Sequence, residues 1–240
     1  MKNMKKILLL LLTGALLAGC SESFLDTMPL TKKTNTDFYQ TLADFDQALT
    51  AAYVTMVSVP EGSVLNAYPF VISELMSDER FGGGGDNDLT PRAICDFKID
   101  GSDMFAGAWV RYYRGIFRTN MILANLENYE WESAAQKGNI EGQARFLRGM
   151  FYFDLSRLFG EVPLIIEAKP VNNPKAAAAD TYGQIAFDLK TAIEAFPKVT
   201  YGTSVYGDMG RANRWTAEAL MARVFLFYTG YYEVDELPLA

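Results

Sequence analysis

Between Ser77 and Phe105 the chain gathers the residue types that could do chemistry. Asp78, Glu79, Arg80 and Phe81 are followed by four glycines, Gly82 to Gly85, then by Asp86, Asn87 and Asp88, then by Pro91 and Arg92. Four consecutive glycines forbid regular structure, and a long irregular loop in a compact helical domain is either functional or disordered. A phosphate loop would need Gly-Lys-Ser/Thr after the glycines, and that triplet is missing. Asp86, Asn87 and Asp88 offer hard oxygen ligands, but the calcium-hand spacing puts a glycine where Pro91 stands, so a solvated acidic loop is the simpler reading. Glycoside hydrolysis needs two carboxylates. Glu74, Asp78 and Glu79 lie close in sequence, but in an acidic chain that is weak evidence. Sugar binding fits better: planar rings cover the apolar face of a sugar at little entropic cost while polar neighbours bind its hydroxyls. The candidate ligand-binding set is therefore Asp78, Arg80, Phe81, Arg92, Phe97 and Trp109, with Phe105 beside it and Trp131 as a further aromatic in a connector. Trp109 also fits helical spacing, which would make it a core residue.

The 240 residues are 50% hydrophobic and 21% charged, enough for one sizeable core or two. The chain has no histidine, which excludes Ser-His-Asp and Cys-His catalysis within it and the usual zinc sites. No enzyme activity, metal or cofactor is expected. Residues 1–19 hold Lys2, Lys5 and Lys6 and no acid, so their removal takes the formal charge from −7 to −10. So acidic a protein is a poor partner for nucleic acid.

Those first residues read as a targeting segment. Met1 to Lys6 is basic, Ile7 to Leu17 is apolar, and Leu17-Ala18-Gly19-Cys20 is the lipobox pattern of bacterial lipoproteins. The apolar run is too short for a permanent span. The pattern predicts cleavage after residue 19 and acylation of Cys20, with several acyl chains giving a stable membrane anchor. No aspartate follows Cys20 directly, which fits onward export to the outer membrane. Cys95 is then a lone thiol, read as a small buried hydrophobe.

The loop must be carried by helices. The longest is expected from Glu141 to Gly160: Ala144, Leu147, Phe151, Leu155 and Leu158 step by 3, 4, 4 and 3 along one face, and Phe146, Met150 and Phe153 make a second flank. Such a helix needs neighbours on two sides, hence a layered array. Gly160 and Pro163 end it, and Val162 to Ile166 is an extended run. Thr41 and Asp44 signal the start of a helix reaching about Val57, Tyr68 to Met76 is a shorter one, and Ala93 to Ile99 is read as a short strand. Asp103 to Glu127 forms a helix on the spacing of Trp109, Tyr113, Ile116, Asn120 and Leu123. Tyr129 to Asn139 is a connector with a Gly138-Asn139 turn. Thr181 caps a helix stopped by Pro197, and Trp215 to Tyr228 is the last helix, with Ala219, Leu220, Val224 and Phe227 facing in. Helix starts near 181 and 215, and near 103 and 140, lie about one tetratricopeptide period apart. The fold class is mainly α, a tetratricopeptide-like helical-repeat array with long loops and little β.

Several stretches resemble the SusD/RagB family of outer-membrane nutrient-binding lipoproteins. Arg145-Phe146-Leu147-Arg148-Gly149 through Tyr152-Phe153-Asp154-Leu155, then Leu158-Phe159-Gly160-Glu161-Val162-Pro163, is similar to its "FLRA-YYFDL-RLFGDVPL" signature. Phe24-Leu25-Asp26-Thr27-Met28-Pro29, the Trp109 to Asn120 stretch and Gly210 to Gly230 resemble its other motifs. The resemblance covers nearly the whole chain after residue 19. It implies that residues 20–240 are the amino-terminal helical domain of the family, whose members are roughly twice this long, so the chain is read either as a fragment of a longer protein or as the product of a truncated gene. It implies a cell-surface, lipid-anchored protein that captures oligosaccharide and passes it to a SusC-like, TonB-dependent outer-membrane transporter. It also implies that the region between Ser77-Asp78 and Trp109 contributes to the ligand face. Two alternatives remain open: a peptide-binding member of the family, and a helical scaffold that caps the transporter without touching ligand. An exposed aromatic cluster around Phe81 favours binding over the scaffold.

Overall fold

The computed structural model describes residues 38–57, 69–85, 87–98, 105–169, 172–198 and 210–238. The expected targeting segment 1–19, Cys20, the Phe24 to Pro29 motif and Asp86 lie outside the described residues. All of the packing below belongs to the unit Tyr39–Ala240. Among the described residues there are seven α-helices and no strand, in the order α1 (Leu42–Val57), α2 (Pro69–Leu75), α3 (Leu89–Cys95), α4 (Ala106–Asn125), α5 (Ala134–Phe159), α6 (Ala178–Ala195) and α7 (Arg214–Tyr232). Helix α5 packs against α1, α4, α6 and α7, so the two-flanked helix sits at the centre of a layered array. The expectation of a mainly helical, tetratricopeptide-like fold holds. Phe146, Leu147, Phe151, Phe153 and Leu155 are all buried along α5.

The caps explain most of the boundaries. At α1 the Thr41 Oγ1 accepts from the Asp44 amide at 3.2 Å while Asp44 Oδ2 accepts from the Thr41 amide at 2.9 Å, a reciprocal box. At α7 Asn213 and Thr216 form the same device. Helix α5 begins earlier than expected. Ser133 caps it by accepting from the Gln136 amide at 3.2 Å, and Gly138-Asn139 lies inside the helix rather than in a turn. Gly138 is there for space: a Cβ would come 2.1 Å from the Ala195 carbonyl oxygen of α6. Helix α6 likewise starts at Ala178, so Thr181 is not its cap but a buried residue of its first turn. The strand expected from Ala93 is instead the end of α3, where Pro91 and Ile94 bury a helical face. On α7 Val224 faces in as expected and Phe227 packs on Phe153 and Tyr182, while Ala219 is exposed and Ala217 and Tyr228 are the other buried residues.

Aromatic packing fixes the ends of the array. The buried Phe45 ring lies 4.8 Å from Trp131 and 5.1 Å from Tyr39. Burying such a ring contributes about 1.5–3 kcal/mol. Trp131 is therefore packed, with its indole N–H donating to the Leu126 carbonyl at 2.7 Å. Arg211 binds Asp46 at 2.6 Å and Thr50 at 2.9 Å, and the Ala212 amide donates to the Tyr53 hydroxyl at 2.9 Å, so the entry to α7 is pinned on α1.

A buried polar cluster holds the extended run after α5. Arg148 donates to both carboxylate oxygens of Asp188 at 2.7 and 2.8 Å and to the Asn120 side-chain oxygen at 2.9 Å. Arg145 reaches Asp188 at 3.2 Å. Asn120 in turn donates to the carbonyls of Ile165 and Glu167 at 3.0 and 3.1 Å, and the Tyr152 hydroxyl brackets Ile165 by donating to its carbonyl and accepting from its amide. The run 162–167 is thus clamped on α4 and α5, and an isolated antiparallel bridge pairs Pro163 with Lys175.

Candidate ligand-binding loop

The described part of the Ser77–Lys98 loop is held by its own backbone and by three side chains, those of Ser77, Asp88 and Cys95. Ser77 Oγ donates to the Glu74 carbonyl at 2.7 Å, which turns the chain out of α2. The Gly82 amide donates to Cys95 Sγ at 3.3 Å, and the Cys95 thiol donates to the Arg80 carbonyl at 3.4 Å. Cys95 is therefore not a plain buried hydrophobe. It is half-buried and staples the segment before the glycines to the end of α3. Gly82 has no room for a side chain, since a Cβ would lie 2.3 Å from the Pro91 carbonyl oxygen, and Gly83 has φ +94°, where other residues are strained.

The carboxylate of Asp88 then accepts from the Gly84 and Gly85 amides at 2.8 and 3.1 Å. It occupies the N-cap position of α3 without capping it and turns back on the glycines instead. The amides that a phosphate loop would offer to its ligand are occupied by the chain's own carboxylate.

On this frame Phe81 stands 82% exposed and Phe97 64% exposed. Phe81 lies between Arg80 and Gly82, the two residues bound to Cys95, and Phe97 follows Cys95 by two. Both rings are thus carried on one staple. Phe97 has φ +54°. Its amide donates to the Ile94 carbonyl at 3.1 Å and the Lys98 amide donates to Ala93 at 2.8 Å, the helix ending in which glycine is the low-energy choice. An exposed phenylalanine held in the left-handed region is a strained feature of the kind that clusters at functional sites. Leu89, 71% exposed on the same unit, adds an apolar side chain that sequence reasoning did not single out.

The polar candidates divide. Asp78 is exposed, with no hydrogen-bond partner among the described residues. Arg80 pairs with Glu74 at 2.9 Å on the surface. Arg92 is half-buried, its aliphatic stem lying over Gly83. Among the described residues no ring contact or hydrogen bond joins Trp109 to the loop. It is half-buried on α4, 4.9 Å from Tyr113 and edge-on to Phe159 at 5.1 Å, the packing that its helical spacing suggested. Five of the six candidates thus lie within the Ser77–Lys98 loop, and Trp109 belongs to the α4–α5 contact.

Comparison with known proteins gives this arrangement a context. A SusD-like family model, described as "Starch-binding associating with outer membrane", matches residues 23–226. A SusD-like protein of Bacteroides ovatus is 29% identical over 238 residues, covering 94% of this chain and 40% of the relative. Among solved structures, surface glycan-binding protein A from Bacteroides fluxus superposes with a TM-score of 0.67 at 25% identity, covering 81% of this chain and 41% of that one. A laminarin-binding SusD-like protein superposes with a TM-score of 0.56 at 26% identity, covering 77% and 41%. The chain spans about two fifths of the length of the curated relatives it matches.

Proposed function

The chain belongs to the SusD-like family, and from that membership we propose that it is the helical part of a carbohydrate-binding lipoprotein, in which the Ser77–Lys98 loop meets the ligand. The observation that carries this reading is the pair of exposed rings, Phe81 and Phe97, on a loop stapled by Cys95 and Asp88. Rings presented in a fixed frame stack on a sugar without first losing much freedom. Asp78 supplies an acceptor and Arg92 a donor for hydroxyls beside them. The names of two relatives by structure, one glycan-binding and one laminarin-binding, favour carbohydrate over peptide. The exposed rings favour binding over a scaffold that never touches ligand. No step of bond breaking is assigned to the chain.

The rest of the role follows from the targeting segment and the family description. Cys20 is acylated after cleavage of residues 1–19, which anchors the protein at the outer membrane facing outwards. There it delivers saccharide to a SusC-like, TonB-dependent transporter. Nucleic acid is not a partner.

Two experiments test this. The chain applied to an array of glycans and peptides should retain glycans, and retention of peptides alone contradicts the reading. Cys20→Ser should leave the membrane fraction and lose labelling by a fatty-acid analogue, and continued attachment of that variant contradicts the anchor.

A further inference from the structure

One hollow of the array lies apart from the loop's exposed rings. Helices α1, α2, α4, α5 and α7 line an open hollow of about 370 Å³ bounded by Met56, Ser73, Arg111, Asp154, Arg157 and Arg223, among others. Its size is at the small end of the range for ligand sites. Three arginines face it and one carboxylate, in a chain whose formal charge is −7. The carboxylate is already engaged. Asp154 Oδ2 accepts from the Tyr112 hydroxyl at 3.1 Å, and Asp154 Oδ1 accepts from Arg157. Arg157 also stacks over the Phe153 ring at 4.5 Å, which fixes its plane. Arg111 is buried and donates its Nε–H to the Thr55 carbonyl. Arg223 is exposed at the rim on α7 and has no ion-pair partner among the described residues.

We propose that this cavity binds the anionic group, a carboxylate or a sulfate, of an acidic saccharide. Guanidinium groups meet oxyanions through paired N–H donors, and the hollow sets three guanidinium groups against a single carboxylate that Arg157 already pairs. Met56 and Met150 add an apolar side to the hollow, suited to the C–H face of a sugar ring. The cavity also adjoins the loop through α2. Ser73 lines the cavity, and the next residue, Glu74, binds Arg80 beside Phe81. The inference rests on the carbohydrate reading and narrows it to charged glycans.

Titration calorimetry on the full chain tests it, using trigalacturonate, a sulfated galactotriose, neutral galactotriose and sodium sulfate as probes. At least one acidic trisaccharide should bind about ten-fold or more tightly than the neutral one, with the preference shrinking as salt is raised. Which acidic probe wins tells carboxylate from sulfate. Arg223→Glu, a rim change that leaves the fold intact, should abolish the preference, and Arg157→Gln should weaken it. Equal affinity for charged and neutral sugars, binding of neither, a preference that survives Arg223→Glu, or sodium sulfate binding as tightly as the saccharide overturns the proposal. If Phe81→Ala weakens neutral sugar binding while no charge preference exists, the loop reading stands and the cavity falls. If a charge preference depends on Arg223 while Phe81→Ala changes nothing, the cavity stands and the loop reading falls.

Discussion

Arg148 and Arg80 carry the same guanidinium, and each meets a carboxylate in a good ion pair, but the two regions use it for different ends. Arg148 is 5% exposed and its partner Asp188 is fully buried, between α5 and α6. Each of the three Arg148 guanidinium nitrogens is tied to Asp188, Asn120 or a carbonyl of the clamped run, so the group is committed to the fold. Arg80 is 65% exposed opposite a half-exposed Glu74, at the edge of a loop whose rings face solvent. The first region holds the fold, and its most recognisable motif, Phe146-Leu147-Arg148-Gly149, is conspicuous as sequence and buried in the packing. The second has an undistinguished sequence and offers exposed aromatic and polar groups. In this molecule the strength of a sequence pattern tracks burial rather than chemistry.

Breaking the buried side of the comparison should cost most. Asp188→Ala leaves two guanidinium groups facing a buried space and should lower stability by about 3–5 kcal/mol, read from urea unfolding. A loss below about 1 kcal/mol, the surface-pair range, would show that the cluster is solvated and the contrast unreal.

Alkaline pH is the next largest lever. Burial pushes the Tyr39 phenol up to about 12, and it pushes Tyr152, which clamps Ile165, up to about 12 as well. Both stay neutral in the fold at a pH where the unfolded chain has begun to ionise, near 10. Their contribution is fully present below about pH 10 and is lost as pH rises towards 12. The urea midpoint should be flat from pH 7 to 9 and then fall, and a flat profile through pH 11 would contradict their burial.

Phe97→Gly sharpens the other side. Relief of the left-handed backbone should raise stability by about 1 kcal/mol, while saccharide binding weakens because a ring is gone. Stability and binding that fall together would place Phe97 in the core. Glu74→Gln removes the Arg80 pair and should change stability by no more than about 0.5 kcal/mol, with a larger change marking the loop as structural.

The fold was legible wherever apolar spacing or a cap was written in order. Helix α1 follows the Thr41–Asp44 box and α5 follows the Phe146–Leu155 flanks. The start of α5 was misread because Gly138-Asn139 resembles a turn, although Ser133 with Gln136 three residues on was a readable cap. What no spacing could show is contact between distant segments: Arg148 with Asp188, Asn120 with the run after α5, and the arginines of α4, α5 and α7 around one cavity. The loop's irregularity and its aromatic content were legible. The Cys95 staple and the turn of Asp88 onto Gly84 were not, because both depend on where α3 folds back.

The most direct test of the account is Phe81→Ala, measured twice on the same preparation against a glycan the chain retains. The account predicts a loss of affinity of about 1–3 kcal/mol with unfolding stability unchanged within about 0.5 kcal/mol, since the ring is 82% exposed. A large loss of stability with affinity intact would contradict it.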